Sequence, residues 1–212
     1  MIITYHGAGM VKLQVGETVV ALNPIGKESG DLPAGKAGKV TRFGADLALI
    51  SVPDPLYNGV DNMTFGEREP FVVDGPGEYE VKGTFVRGAA STGPGGKVNT
   101  IYTLTLDNIN VCHLGALAAS DLPEAAIETM GVVDILFVPV GENNTLSPAA
   151  AHKVSELFSP KLIIPVEWSS DTTLKAFLKE AGESSPERTD KLTLKRKDLE
   201  GKESDVVVLN QS

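Results

Sequence analysis

Three histidines and one cysteine in 212 residues leave little imidazole or thiolate for metal chemistry. Cys112 alone excludes an internal disulfide and any multi-cysteine metal cluster, in keeping with a reducing compartment, and reads as a small buried hydrophobe. Cations are also scarce: 19 Lys and Arg face 28 Asp and Glu, a net charge of −9. Nucleic-acid binding depends on cations that displace counterions from phosphates, so this balance argues against such a partner. The basic run KLTLKRK at 191–197 is followed at once by acids and reads as the solvated face of a strand. No stretch approaches the ~18 apolar residues of a membrane span. The opening MIITYHG lacks the basic flank and cleavage site of a secretory signal, so a cytoplasmic protein with no membrane partner is expected.

Apolar residues make up 42% of the chain, enough for one sizeable core, and a single domain over 1–212 is expected. The first half is rich in short β-type runs, at 2–5, 10–15, 18–22, 47–51, 71–73, 79–81, 84–87, 99–105 and 109–112. Turns such as DGPG at 74–77 separate them, and the Gly-rich stretches at 26–38 and 91–97 read as loops. After residue 120 the period changes. Helices are expected over 122–130, over 147–158 with Ser147 as N-cap and Pro148 in the first turn, and over 171–182 closed by glycine. Between them, 133–138 and 161–164 are apolar strands, each stopped by proline. Such alternation implies parallel pairing with helices on the sheet face. The segment 183–190 reads as a loop, and 191–196 with 204–209 as a closing hairpin over 200–202.

Five phrases stand in a telling order: DGPGEYEVKG at 74–83, NTIY at 99–102, VCHLG at 111–115, VDILFVPVG at 133–141 and KLIIPV at 161–166. Together they resemble the metallo-β-lactamase superfamily, in its branch of small bacterial zinc-dependent hydrolases similar to ascorbate lactonases. The resemblance implies the α/β class and a four-layer αββα sandwich whose halves meet at a metal cleft. It also implies a His-x-His-x-Asp-His loop after an early strand. Alternate residues of an extended segment point the same way, so two imidazoles reach one zinc while the following Asp and His serve a second. Two such metals activate a bridging water.

Set against the strand ALIS at 48–51, that loop falls on VPDPLY at 52–57. Val52 and Asp54 take the two histidine positions, Leu56 the aspartate and Tyr57 the last histidine. The segment 89–97 offers no histidine, Ala116 stands where the bridging aspartate belongs, and Glu167 where the closing histidine belongs. The Asp-Pro phrase that helps hold the family's loop is here Asn23-Pro24. His6 and His152 fall away from ligand positions, the first as a partly exposed turn residue and the second on the solvent side of a helix. His113, beside the missing aspartate, is expected to hydrogen bond at a strand end rather than bind a metal.

The expectation is a metallo-β-lactamase-fold protein without zinc or another cofactor, catalytically inactive, with a binding or structural role. Its vestigial cleft comprises Val52, Asp54, Leu56, Tyr57, His113, Ala116 and Glu167. Asp54, Tyr57, His113 and Glu167 would hold a small polar ligand, and Pro53 and Pro55 would stiffen the rim. If the cleft is closed, Val52, Leu56 and Ala116 fill it while Asp54 and Glu167 turn to water to avoid unpaired buried charge. The alternative is a hydrolase of altered chemistry. There Asp54 and Glu167 face each other and divide acid and base roles, or hold a hard cation such as Mg²⁺ or Mn²⁺. Trp168 beside Glu167, with the apolar late strands, leaves homo-oligomerisation open.

Overall fold

The computed structural model describes residues 1–26, 41–141, 144–168 and 170–212, so the Gly-rich loop expected at 26–38 falls almost wholly outside the described residues. Strands β1 (Ile2–Tyr5), β2 (Val11–Val15) and β3 (Thr18–Leu22) form an antiparallel meander. Next to β3, β4 (Leu47–Leu49) and then β5 (Phe71–Val73) add in parallel. A second meander follows in β6 (Gly77–Val81), β7 (Thr84–Thr92), β8 (Val98–Leu106) and β9 (Ile109–His113).

Beyond β9 the chain alternates as expected: α1 (Glu124–Met130), β10 (Ile135–Pro139), α2 (Pro148–Phe158), β11 (Leu162–Val166) and α3 (Asp171–Glu180). The run β9, β10, β11 is parallel. Every residue of β10 and β11 is buried, which is why both read as continuous apolar runs rather than alternating ones. Serine caps fix the helix starts: Ser147 accepts from the Ala150 N–H and Ser170 from the Thr173 N–H. Three short strands close the chain, β12 (Glu187–Thr189), β13 (Leu192–Thr193) and β14 (Asp205–Leu209).

The strands form two sheets, of order β13-β1-β2-β3-β4-β5 and β12-β14-β11-β10-β9-β8-β7-β6. Between them lies the larger core, where Leu13, Val20 and Leu49 of the first sheet share one cluster with Leu104, Phe137 and Ile164 of the second. On the far side of the second sheet, Leu136, Ile163 and Val206 pack with Val154, Leu174 and Phe177 of the helices. On the first sheet, Val19 and Ala21 are covered by Ala45 and by Met63 of a single 3₁₀ turn, Val60–Met63. The result is the expected mixed α/β sandwich of two sheets.

Three local readings need correction. The closing hairpin does not form: β13 pairs with β1 at the edge of the first sheet, while β14 lies between β11 and β12 in the second. Leu194 and Leu199, buried in the inter-sheet core, pull the chain across from one sheet to the other, and a 3₁₀ turn at Arg196–Leu199 carries it. The loop read at 183–190 contains β12, whose Glu-Arg-Thr sequence shows no apolar alternation because the strand is largely exposed at a sheet edge. His6 is buried rather than partly exposed, with Nδ1 2.9 Å from the Ser212 hydroxyl and its ring against Phe43.

A closed cleft between the sheets

Three strand ends deliver the residues of the expected cleft. β4 leads into 50–57, β9 ends in His113 and runs into Gly115 and Ala116, and β11 ends just before Glu167. The loop after β4 is a tight coil. The Asp54 carboxylate accepts from the Leu56 N–H at 3.1 Å, and the Asp54 carbonyl from the Tyr57 N–H at 2.8 Å. Asn23 fixes the loop's origin by accepting the Ser51 N–H at 2.9 Å, itself held in a left-handed conformation (φ 47°). Gly59 lets the loop close on its neighbour, since a β-carbon there would collide with the Ile25 carbonyl.

The floor is set by Asn99, which is fully buried. Its amide nitrogen donates to the Leu114 carbonyl (2.9 Å) and the Ser91 hydroxyl (2.8 Å), and its oxygen accepts from the Ala116 N–H (2.8 Å). Against this frame Val52, Tyr57 and Ala116 form a buried cluster of their own, with Leu56 packed on its side. Three of the seven expected residues thus make an apolar plug, and Leu56 borders it.

Both carboxylates have protein partners. Asp54 is half-buried and pairs with Lys97 at 2.7 Å; that bond, with the Leu56 N–H, holds its carboxyl below the ordinary range. Asp54 thus lies on the solvent side. Glu167 does not. Tyr57 Oη donates to Glu167 Oε1, and the Glu167 N–H donates to Tyr5 Oη at 2.9 Å, with Tyr5 Oη donating in turn to the Ala8 carbonyl. Burial, then the Glu167 charge, pushes the Tyr57 hydroxyl far above its ordinary value, which makes it the donor of the pair. Glu167 itself adopts a left-handed φ of 56°.

His113 is buried, with both ring nitrogens committed. Nδ1 accepts from the Gly115 N–H at 2.9 Å, so the proton sits on Nε2, 3.0 Å from the Gly9 carbonyl that accepts it. Burial pushes its pKa down to about 4. Neither nitrogen offers a metal a lone pair. Val52, Leu56 and Ala116 have no donor atom, and among the described residues no group of three or more His, Cys, Asp or Glu is placed to hold a metal ion. The residues present do not fit the zinc pair that the fold implies.

Tyr5, Asn99 and Lys97 were not legible as part of this region. Each acts through the fold: Tyr5 from the opposite sheet, Asn99 from the start of β8, Lys97 from a turn. A buried asparagine in NTIY was the only available signal.

Two facing sheets with a loop cluster between their strand ends define the class, a metallo-β-lactamase-type sandwich. The chain belongs to the beta-lactamase superfamily domain family, whose model matches residues 2–167. It is 25% identical to a UPF0173 metal-dependent hydrolase of Listeria welshimeri, an alignment over 80% of this chain and 86% of the relative. Among solved structures, a metallo-beta-lactamase superfamily protein of Thermotoga maritima superposes with a TM-score of 0.78 at 28% identity, covering 98% of this chain and 97% of that one. A metallo hydrolase of the archaeon Ignicoccus hospitalis shares the fold, with a TM-score of 0.63 at 14% identity over 100% of this chain and 95% of its own.

A hydrogen bond to a charged group contributes about 1.5–3 kcal/mol, whereas an exposed ion pair contributes about 0–1. Tyr57→Phe is therefore expected to lower unfolding stability by about 1.5–3 kcal/mol, and Lys97→Met by less than about 1. Urea titration of the two variants checks the order.

Proposed function

We propose that this protein is a metal-free member of its family that does not hydrolyse substrates and acts through binding or as a structural protein. The observation that carries the reading is the plug: Val52, Tyr57 and Ala116 are packed together at positions where the family resemblance calls for ligands. The remaining polar groups support it. Tyr57 bonds Glu167, Lys97 pairs with Asp54, and His113 spends both nitrogens on backbone. Asp54 and Glu167 each have a protein partner of their own, which disfavours a division of acid and base roles between them. A small polar ligand would reach this region at its Asp54 and Lys97 rim, where both side chains are partly exposed.

The test is elemental analysis of protein purified from zinc-supplemented culture, followed by assays on phosphodiester, lactone and thioester probes with Zn²⁺, Mn²⁺ or Mg²⁺ added. Substoichiometric zinc and no metal-dependent turnover are expected. One or two zinc ions retained through dialysis against a chelator, or turnover abolished by Glu167→Gln, would overturn the reading.

A further inference from the structure

The helices stop short of one end of the second sheet. Ala89 of β7, Ile101 of β8 and Cys112 of β9 lie beneath them, packed with Ala126 and Met130 of α1. Side chains alternate along a strand, so two residues further on the same face carries Arg87, Thr103 and Asn110, and beyond them Phe85 and Thr105. Register sets these residues side by side, with Arg87 opposite Thr103 and Thr105 opposite Asn110. α1 ends at Gly131 in a left-handed conformation (φ 62°), with Met130 buried before it and Val132 75% exposed after it. Between this helix end and the uncovered strands lies a cavity of about 120 Å³.

The polar groups that face this cavity are chiefly hydrogen-bond donors. Among the described residues that line it, Arg87 is the only charged one. Its pair with Glu78 is long, 3.6 Å from Nε to the carboxylate, and both side chains are more than half exposed, so exchange for another anion costs little. Thr103 is only 9% exposed, yet no group among the described residues hydrogen bonds its hydroxyl. The Thr105 hydroxyl donates to Asn110 Oδ1 at 2.9 Å, which leaves the Asn110 amide nitrogen as a donor. Two exposed apolar side chains, Phe85 and Val132, complete the walls.

We propose that this shelf binds a small monocarboxylate bearing one compact apolar group, the carboxylate between Arg87 and Thr103 and the apolar group against Phe85 and Val132. A planar guanidinium offers a carboxylate two parallel N–H groups, and the Thr103 hydroxyl adds a donor from the neighbouring strand. Size limits the apolar part. An enclosed apolar cavity of about 150 Å³ takes one benzene ring, and this cavity is of about 120 Å³. Charge limits the anion: Glu78 and Glu80 of β6 are exposed opposite Arg87 and Phe85, outside the cavity lining, and repel a second negative charge. The site is separate from the cleft, since it uses the beginning of β9 whereas the cleft is built at the far end, from His113 onward.

Amide NMR shifts during titration with benzoate test the proposal. Saturable shifts centred on Arg87, Thr103, Asn110 and Gly131 are expected, with a dissociation constant on the order of 1 mM or below. Benzamide keeps the shape without the charge and should bind about tenfold more weakly, and phthalate, with its second carboxylate, should also bind more weakly. Arg87→Gln is expected to weaken benzoate by about tenfold or more and Thr103→Val by a smaller factor, both with urea unfolding little changed. Shifts that fail to saturate by about 10 mM, or that saturate equally well with benzamide or in both variants, overturn the proposal. Tighter binding of an acetylated peptide ending in phenylalanine than of benzoate also overturns it, assigning the shelf to chain termini rather than to a free molecule.

Discussion

Asp134→Ala is expected to cost about 3–5 kcal/mol of unfolding stability, the usual consequence of removing one partner from a buried ionic cluster. The Asp134 side chain is fully buried at the start of β10. Its carboxylate accepts from the Asn110 N–H at 2.9 Å, sits 3.0 Å from Lys161 Nζ and is bonded by Arg196. Those partners come from β9, from the entry to β11 and from the 3₁₀ turn that crosses between the sheets. One carboxylate therefore pins three elements at the base of the second sheet. Alanine leaves the Asn110 N–H and two cationic heads without their acceptor. Arg196→Ala should cost less, because its side chain is 47% exposed and water replaces the lost bond.

The same cluster fixes the sign of an acid effect. Burial alone would raise the Asp134 carboxyl, but the Asn110 N–H, Lys161 and Arg196 outweigh it and hold the group below its ordinary value. The stabilisation is thus full above the pKa of the unfolded chain and is lost as pH falls through the lower folded value. Urea midpoints at neutral pH and in acid, for wild type and Asp134→Asn, measure it. A loss under about 1 kcal/mol for Asp134→Ala at neutral pH would contradict the account, since it would match an exposed pair.

The degree to which the chain could be read in advance follows from which forces act locally. Continuous apolar runs such as ILFVP and LIIPV, and helices with serine at the N-cap, carry their own signals, so the parallel half was legible. β12 was not, because three largely exposed residues are a strand only by virtue of the edge they join, and β13 was legible as a strand but not in its pairing with the distant β1. In the cleft, the lack of side-chain donor atoms at Val52, Leu56 and Ala116 was readable one residue at a time. The fate of Glu167 was not. A carboxylate at a strand end turns to water by default, and it is the approach of Tyr57 from the other sheet that captures it. Asn99 was hidden for the same reason, its partners Leu114 and Ala116 lying beyond a strand and a turn.

Stability is expected to fall by about 3 kcal/mol as pH drops from 6.5 to 4, through His113. The neutral ring is required at both nitrogens: a proton on Nδ1 would set it against the Gly115 N–H, and the charged imidazolium would be buried between Gly9 and Phe137. The folded protein accordingly refuses the proton until about pH 4, whereas an unfolded histidine accepts it near 6.5. Between these values the unfolded state binds more protons, so stability rises with pH across the window and is complete above it. His6, lowered by burial in the same direction, adds to the slope. The carboxylates Asp46, Asp54, Asp134 and Asp205 are held below their ordinary range and contribute their losses at still lower pH. His113→Gln separates the two contributions: stability drops at neutral pH because the Gly9 carbonyl and Gly115 N–H lose a fitted partner, but most of the slope between pH 4 and 6.5 disappears. A variant that keeps the wild-type slope would show that the acid sensitivity arises elsewhere.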